Sequence, residues 1–148
     1  MATAKHILVP HDFSDTAEGA LTYALDLAEK LGATVTVVHT YEVPVYAFPE
    51  GPALIPQLAG QLETASRAAL DGVVRRATRP GLTVRATLRL GPAWSEIDAA
   101  AREGGVDLIV MGTHGRKGVA RALLGSVTEK VVRTAPCPVL TVQGSPLP

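Results

Sequence analysis

The chain predicts an α/β fold: one domain built on a parallel sheet with helices on both faces. Three observations carry this. Strand-length apolar runs alternate with helical stretches as β-α-β-α-β-α-β-α-β, and the near-obligatory right-handed crossover turns such alternation into a parallel sheet. Two of the runs, HILVP at His6–Pro10 and VDLIVM at Val106–Met111, are almost continuously apolar, as strands covered on both faces are. The chain is 148 residues long, 47% hydrophobic and 19% charged, which suits one domain burying roughly 70% of its unfolded surface and excludes a disordered chain.

Each element follows from its local pattern. Strand one, His6–Pro10, closes on a proline and an Asp/Ser cluster. From about Thr16 to Leu31, Ala17, Leu21, Ala24, Leu25, Ala28 and Leu31 recur at spacings of three and four. Asp15 and Glu18 form a D-x-x-E capping box there and Gly32 is the stop, so the segment reads as an amphipathic helix. Thr34–Thr40 (TVTVVHT) is β-branched and makes strand two. Tyr41–Gly60 holds Pro44, Pro49, Pro52 and Pro56, is longer than a tight crossover needs, and reads as a loop or lid at the carboxyl end of strand two.

Leu58, Leu62, Ala65, Ala69, Val73 and Ala77 mark a second helix, ended by Pro80-Gly81. Leu82–Leu90 alternates strictly, with Leu82, Val84, Ala86, Leu88 and Leu90 on one face and Arg85 and Arg89 on a solvated one, as in a half-exposed edge strand. Pro92 opens a short helix that passes through Ile97 and Ala101 and stops at Gly104-Gly105, and Val106–Met111 is strand four. A basic glycine-containing loop runs from Gly112 to about Ala122. Gly125–Thr134 is the last helix, and Pro138–Val142 is a short edge strand with prolines at its entrance.

Charge and cysteine content narrow the function classes. Fourteen basic and fourteen acidic side chains cancel, which gives no overall attraction to nucleic acid or to an anionic membrane. Any ligand must therefore be held by a local site. Cys137 is the sole cysteine, so no internal disulfide or cysteine-based zinc cluster can form. The apolar run before Pro10 is too short for a signal peptide or a membrane span, and a cytoplasmic location is expected.

Ligands of such sheets sit at the carboxyl ends of strands, where the strand order reverses. Pro10-His11-Asp12 and Met111-Gly112-Thr113-His114-Gly115 both follow buried strands, so strands one and four should be neighbours flanking the site. Gly112-Thr113-His114-Gly115, nine residues, then Gly125-Ser126-Val127-Thr128 is the most informative stretch. Glycines let backbone N–H groups approach phosphate oxygens, a helix opening at Gly125 offers unpaired donors, and Ser126 adds a hydroxyl. Arg116 and Lys117 can offset phosphate charge. On spacing alone the stretch reads equally as a glycine-rich turn followed by a capped helix. Asp12 reads either as a site residue or as a cap for the following helix. His11, His39 and His114, near the ends of different strands, could join Asp12 as metal ligands, or be imidazoles lining a phosphate pocket.

ILVPHDFSD, the Gly91-Pro92-Ala93 turn, DLIVMGTHGRKG, LLGSVTEKVVR and APCPVLTV, in this order and spacing, resemble the universal stress protein family over nearly the whole chain. The likeness is to its ATP-binding branch, whose G-x2-G-x9-G-S/T signature is matched by Gly112, Gly115, Gly125 and Ser126. The resemblance implies a five-stranded parallel sheet in the order 3-2-1-4-5, of the adenine nucleotide alpha hydrolase-like type. It implies that Asp12 holds the ribose or a metal–phosphate group, and that Thr40 meets adenine through its backbone beside Pro10. Met111 and Gly112 would line the nucleoside pocket, while His114, Gly115, Arg116, Gly125, Ser126, Val127 and Thr128 surround the phosphates. ATP is the implied ligand, with Mg²⁺ carried on its phosphates near Asp12. A homodimer through Pro138–Val142 is the implied assembly.

Other nucleotide chemistries lack their residues. GxxxxGK[ST] and GxGxxG are absent, PHDFS stands where related pyrophosphatases carry SGGxDS, and Gly91-Pro92 stands where a phospho-receiver needs its aspartate. The residues offer no Walker lysine and no dedicated base, so an ATP-binding regulatory protein with slow or no hydrolysis is favoured over an enzyme. The alternative is a nucleotide-independent scaffold or chaperone-like dimer, against which the intact glycine-serine signature argues.

Overall fold

In a computed structural model, residues 3–44, 51–113 and 124–144 are described. The elements in chain order are β1 (His6–Pro10), α1 (Asp15–Leu31), β2 (Thr34–Tyr41), α2 (Ile55–Ala77), β3 (Val84–Leu90), α3 (Ala93–Glu103), β4 (Leu108–Gly112), α4 (Ser126–Thr134) and β5 (Val139–Val142). The strands are all parallel, in the order β3-β2-β1-β4-β5, as expected. β1 and β4 are adjacent, and β3 and β5 are the edges.

Strand alternation splits the core in two. Ile7, Val9, Val35, Val37 and Val110 project to one face and pack under α1 and α2, against Leu21, Leu25, Leu70 and Val73. Leu8, Val38, Ile109 and Met111 project to the other face and pack under α3 and α4, against Ile97, Ala101 and Val131. Fully burying each large aliphatic side chain contributes about 1.5–3 kcal/mol. Asp98, buried between α3 and α4, accepts the Thr134 hydroxyl proton and ties the two helices together.

Four local expectations need correction. The cap of α1 is Ser14, whose hydroxyl accepts the Ala17 N–H at 3.2 Å, so Asp15 and Glu18 fall in the first turn and form no capping box. Ser14 wins because Asp12 anchors it, and Glu18 is turned toward His11 and Arg76. Helix structure also begins earlier than Leu58, with a 3-10 turn at Pro52–Leu54 and α2 from Ile55. Proline is tolerated in a first helical turn, so Pro56 did not forbid this; of the expected loop Tyr41 ends β2, 42–44 and 51 are irregular, and 45–50 lie outside the described residues. β3 starts at Val84, and its apolar alternation is not matched by burial, since Leu90 is 55% exposed. Arg89 is not simply solvated: it pairs with Glu96 at 2.9 Å and Glu103 at 2.8 Å on α3. Gly32, by contrast, stops α1 as expected, in the left-handed conformation at φ 67°.

Candidate functional site

The sheet opens between β1 and β4. β1 pairs with β2 as far as Pro10↔Val38, and the His11 N–H continues to the Val38 carbonyl at 2.8 Å. Toward β4 the ladder holds only Ile7↔Leu108 and Leu8↔Ile109, two residues short of Pro10. The strands part at the switch in strand order, where ligands of open α/β sheets lie. Met111 shares the α3/α4 face with Leu8 and Val38, and alternation carries Pro10 and Thr40 to that same face.

α4 is fastened to the end of β4. The Gly125 N–H donates to the Thr113 carbonyl at 2.6 Å, the Thr128 hydroxyl donates to the Gly112 carbonyl at 2.8 Å, and the Thr113 N–H reaches Val142 at 3.0 Å. The first helical hydrogen bond is Glu129 N–H to Gly125 O, so the amides of Ser126, Val127 and Thr128 form the opening turn that precedes the ladder. That turn carries the partial positive charge of a helix N-terminus. Thr128 is buried, with its hydroxyl engaged inside the protein, so its backbone is what it can offer a ligand.

Two glycines of the signature differ in what they do. A Cβ on Gly112 would lie 2.5 Å from Thr16 Cγ2 and 3.2 Å from the Thr16 carbonyl oxygen, so the close approach of α1 already demands glycine there. Gly125 sits at φ −59° and ψ 154°, a conformation open to any residue. His114, Gly115 and Arg116 lie outside the described residues.

Asp12 is not itself a helix cap. Its Oδ1 accepts the Ser14 N–H at 3.0 Å and the Ser14 hydroxyl proton, so it organises the residue that caps α1. His11 and His39 do not gather around it as metal ligands, and His114 lies outside the described residues. His11 is 3% exposed; its Nδ1 accepts the Phe13 N–H at 3.0 Å and its Nε2 lies 3.3 Å from Glu18. His39 uses Nδ1 on the His11 carbonyl at 2.7 Å. Alternation puts both on the α1/α2 face, opposite Met111 and Thr40, and among the described residues no three His, Cys, Asp or Glu side chains could hold a metal ion. Burial lowers the His11 pKa from the ordinary histidine value, outweighing the upward pull of Glu18 and Asp12. Burial, with Asp107 and Asp98 nearby, pushes the Cys137 thiol up, which keeps it a thiol and a poor redox sensor.

Sequence reasoning missed the ring cluster of His11, Phe13 and His39, and the stacking of Lys130 on Trp94 at 4.4 Å. His11 and Phe13 are two apart, which was a usable signal. The lysine sits 36 positions from its tryptophan (130 − 94), and no local pattern joins them.

Comparison with known proteins now decides the family. The universal stress protein family model matches residues 3–143. The chain belongs to that family. A putative universal stress protein of Staphylococcus haemolyticus is 37% identical over 150 residues, covering 100% of this chain and 90% of the relative. A universal stress protein from Lactobacillus plantarum has the same fold, with a TM-score of 0.82 and 31% identity over 96% of this chain and 99% of its own. At the level of fold alone, the family member from Archaeoglobus fulgidus solved in complex with dAMP superposes with a TM-score of 0.65 at 23% identity, over 95% of this chain and 98% of its own. Among the described residues of this universal stress protein, no helix is long and apolar enough to cross a membrane.

Proposed function

We propose that this universal stress protein is an ATP-binding regulatory protein in which hydrolysis is slow or absent. The observation that carries the reading is the switch in strand order between β1 and β4, where pairing stops at Leu8↔Ile109, with the opening turn of α4 at Ser126–Thr128 fastened to the end of β4. An adenine nucleotide fits its chemistry. Phosphates meet the backbone donors and positive end of α4, Asp12 faces the ribose, and the Thr40 backbone meets the base. A Mg²⁺ on the phosphates needs few protein ligands, and Asp12 is the carboxylate at hand. Gly115 and Arg116 take their phosphate roles from the family signature. The dAMP complex of the Archaeoglobus relative supports an adenine ligand for this fold.

Among the described residues nothing at the switch between β1 and β4 is arranged as a dedicated general base, and the reading favours binding over turnover. The lone Cys137 suits a reducing, cytoplasmic setting. Dimerisation through β5 is part of the proposal, because β5 is an edge carrying Val139, Leu140 and Val142 while the opposite edge carries Arg85 and Arg89.

The test is calorimetric titration of nucleotide-free protein with Mg-ATP, together with mass spectrometry of small molecules released on denaturation. Saturable ATP binding is expected, with Gly115→Val losing most affinity and Ser126→Ala losing roughly 1.5–3 kcal/mol, the worth of a hydrogen bond to a charged group. Turnover should fall far below the enzyme median of about 10 s⁻¹. No binding by the nucleotide-free parent, or equal affinity for Gly115→Val, overturns the reading in favour of a scaffold.

A further inference from the structure

Asp12 is flanked by two residues held from the opposite face of the sheet. His11 continues the inward parity of Ile7 and Val9 and is 3% exposed under α1 and α2. Its Nδ1 accepts the Phe13 N–H at 3.0 Å, the contact an Asx turn makes with a carboxamide oxygen, here made by an imidazole that spans Asp12. Nδ1 must then be unprotonated, and in the neutral ring the hydrogen sits on Nε2, 3.3 Å from Glu18 Oε1. Glu18 is in turn held by Arg76 of α2 at 3.0 Å.

Phe13 is the non-glycine residue with positive φ among the described residues, at 67°. This conformation is uncommon for a bulky side chain, and it persists only where its surroundings impose it. The imposing groups are visible. The Phe13 ring stacks on His39 with centroids 4.3 Å apart and tilts against His11 at 5.6 Å. His39 closes the ring of contacts by donating from Nδ1 to the His11 carbonyl at 2.7 Å. A carbonyl can only accept, so that donor assignment is fixed.

The clasp joins the two strand ends that the proposed function puts against one ligand. His11 precedes Asp12 just past the end of β1, and His39 precedes Thr40 on β2. We infer that His11 and His39 are positioning residues, which lock the Asp12–Phe13 turn onto the end of β2 so that Asp12 and Thr40 meet the nucleotide in a fixed relation. Neither imidazole touches the nucleotide. The inference rests on the ATP-binding reading and adds two residues that the family signature does not include.

Substitution at His11 separates positioning from mere packing. His11→Leu keeps apolar bulk under α1 but offers no acceptor to the Phe13 N–H. His11→Asn is smaller, and its Oδ1 restores that acceptor in ordinary Asx-turn geometry. Mg-ATP affinity by calorimetry and stability by urea unfolding are measured on both. His11→Leu should bind about tenfold more weakly, while His11→Asn stays within about threefold of the parent although its unfolding midpoint falls at least as far as that of the leucine variant.

The tenfold loss should vanish when the pair is compared in an Asp12→Ala background. Parent-like affinity in His11→Leu, or equal losses in both variants, overturns the inference and leaves ATP binding standing. No binding by the parent removes both. Should His11→Leu not fold, the same comparison is made with His39→Leu against His39→Asn, whose amide can still donate to the His11 carbonyl. The leucine variant should lose affinity and the asparagine variant keep it, and equality of the two overturns the inference.

Discussion

Gly112 is the position at which geometry sets the cost of a single added methyl. The Cβ of Gly112→Ala would lie 2.5 Å from Thr16 Cγ2, against an optimum of about 3.5–4.0 Å for two carbons, and 3.2 Å from the Thr16 carbonyl oxygen. Thr16 cannot simply swing away, because a β-branched side chain has few χ1 choices in a helix. Relief therefore requires α1 to lift from β4 by about 1 Å, which disturbs Ala20 and Ala24, both fully buried beneath it. Overpacking of this kind costs about 1–3 kcal/mol. Replacing glycine returns about 0.4–1 kcal/mol through the unfolded state, so a net loss of about 1–2 kcal/mol is expected. For a chain of this size that is a fall in Tm of about 2–8 °C. Thr16→Ser removes the offending Cγ2 and should restore about 1 kcal/mol in the Gly112→Ala background, although on its own it destabilises slightly. Urea unfolding of the ligand-free double-mutant cycle measures both. A Gly112→Ala protein within 0.5 kcal/mol of the parent, or no recovery with Thr16→Ser, would refute the packing account and return Gly112 to a purely ligand-facing role.

Three other outcomes are expected. Ser14→Ala removes the cap of α1 and one partner of Asp12 together, and chemical denaturation should show a loss of about 1 kcal/mol or somewhat more. His11 has a folded pKa below its unfolded value, so the unfolded chain binds more protons; stability from this group is complete above the unfolded pKa of about 6.5 and is lost as pH falls below it, and unfolding followed from pH 7.5 to 5 should show a slope that His11→Asn flattens. Val142→Asp places a charge on the β5 edge, and light scattering should report a monomer where the parent is a dimer; an unchanged mass would exclude this interface.

Elements whose signal is local were legible in the sequence. The three-and-four spacing from Ala17 to Leu31 and the glycine after it marked α1 and its end, and the unbroken apolar runs marked β1 and β4 as interior strands. What escaped depended on partners distant in sequence. Ser14 rather than Asp15 caps α1 because Asp12 holds it, and two adjacent candidates cannot be ranked without that contact. Arg89 resembled a solvent-facing strand residue until α3 brought Glu96 and Glu103 alongside. Pro52 and Pro56 read as breakers, yet proline fits the first turn of a helix, and only packing of α2 on the sheet decides where that turn begins.

The histidines show why convergence cannot be read from proximity in sequence. His11 and Asp12 are neighbours, as are His39 and Thr40, and the sequence left open whether His11, His39 and His114 join Asp12 as metal ligands or line a phosphate pocket. A strand places successive side chains on opposite faces, so neighbours at a strand end are sent to different sides of the sheet. On the α1/α2 side the imidazoles meet Phe13, Glu18 and each other; on the α3/α4 side Pro10 and Met111 border the open switch between β1 and β4. On the first side the Phe13 N–H is held by His11 Nδ1 and the His11 carbonyl by His39 Nδ1, which fixes the turn at Asp12 from behind. The second side holds the head of α4, where the amides of Ser126, Val127 and Thr128 precede the helical ladder. Such a partition lets the ligand-facing side change in sequence without unmaking the turn, and it places the determinants of site geometry where a search limited to ligand contacts would not look.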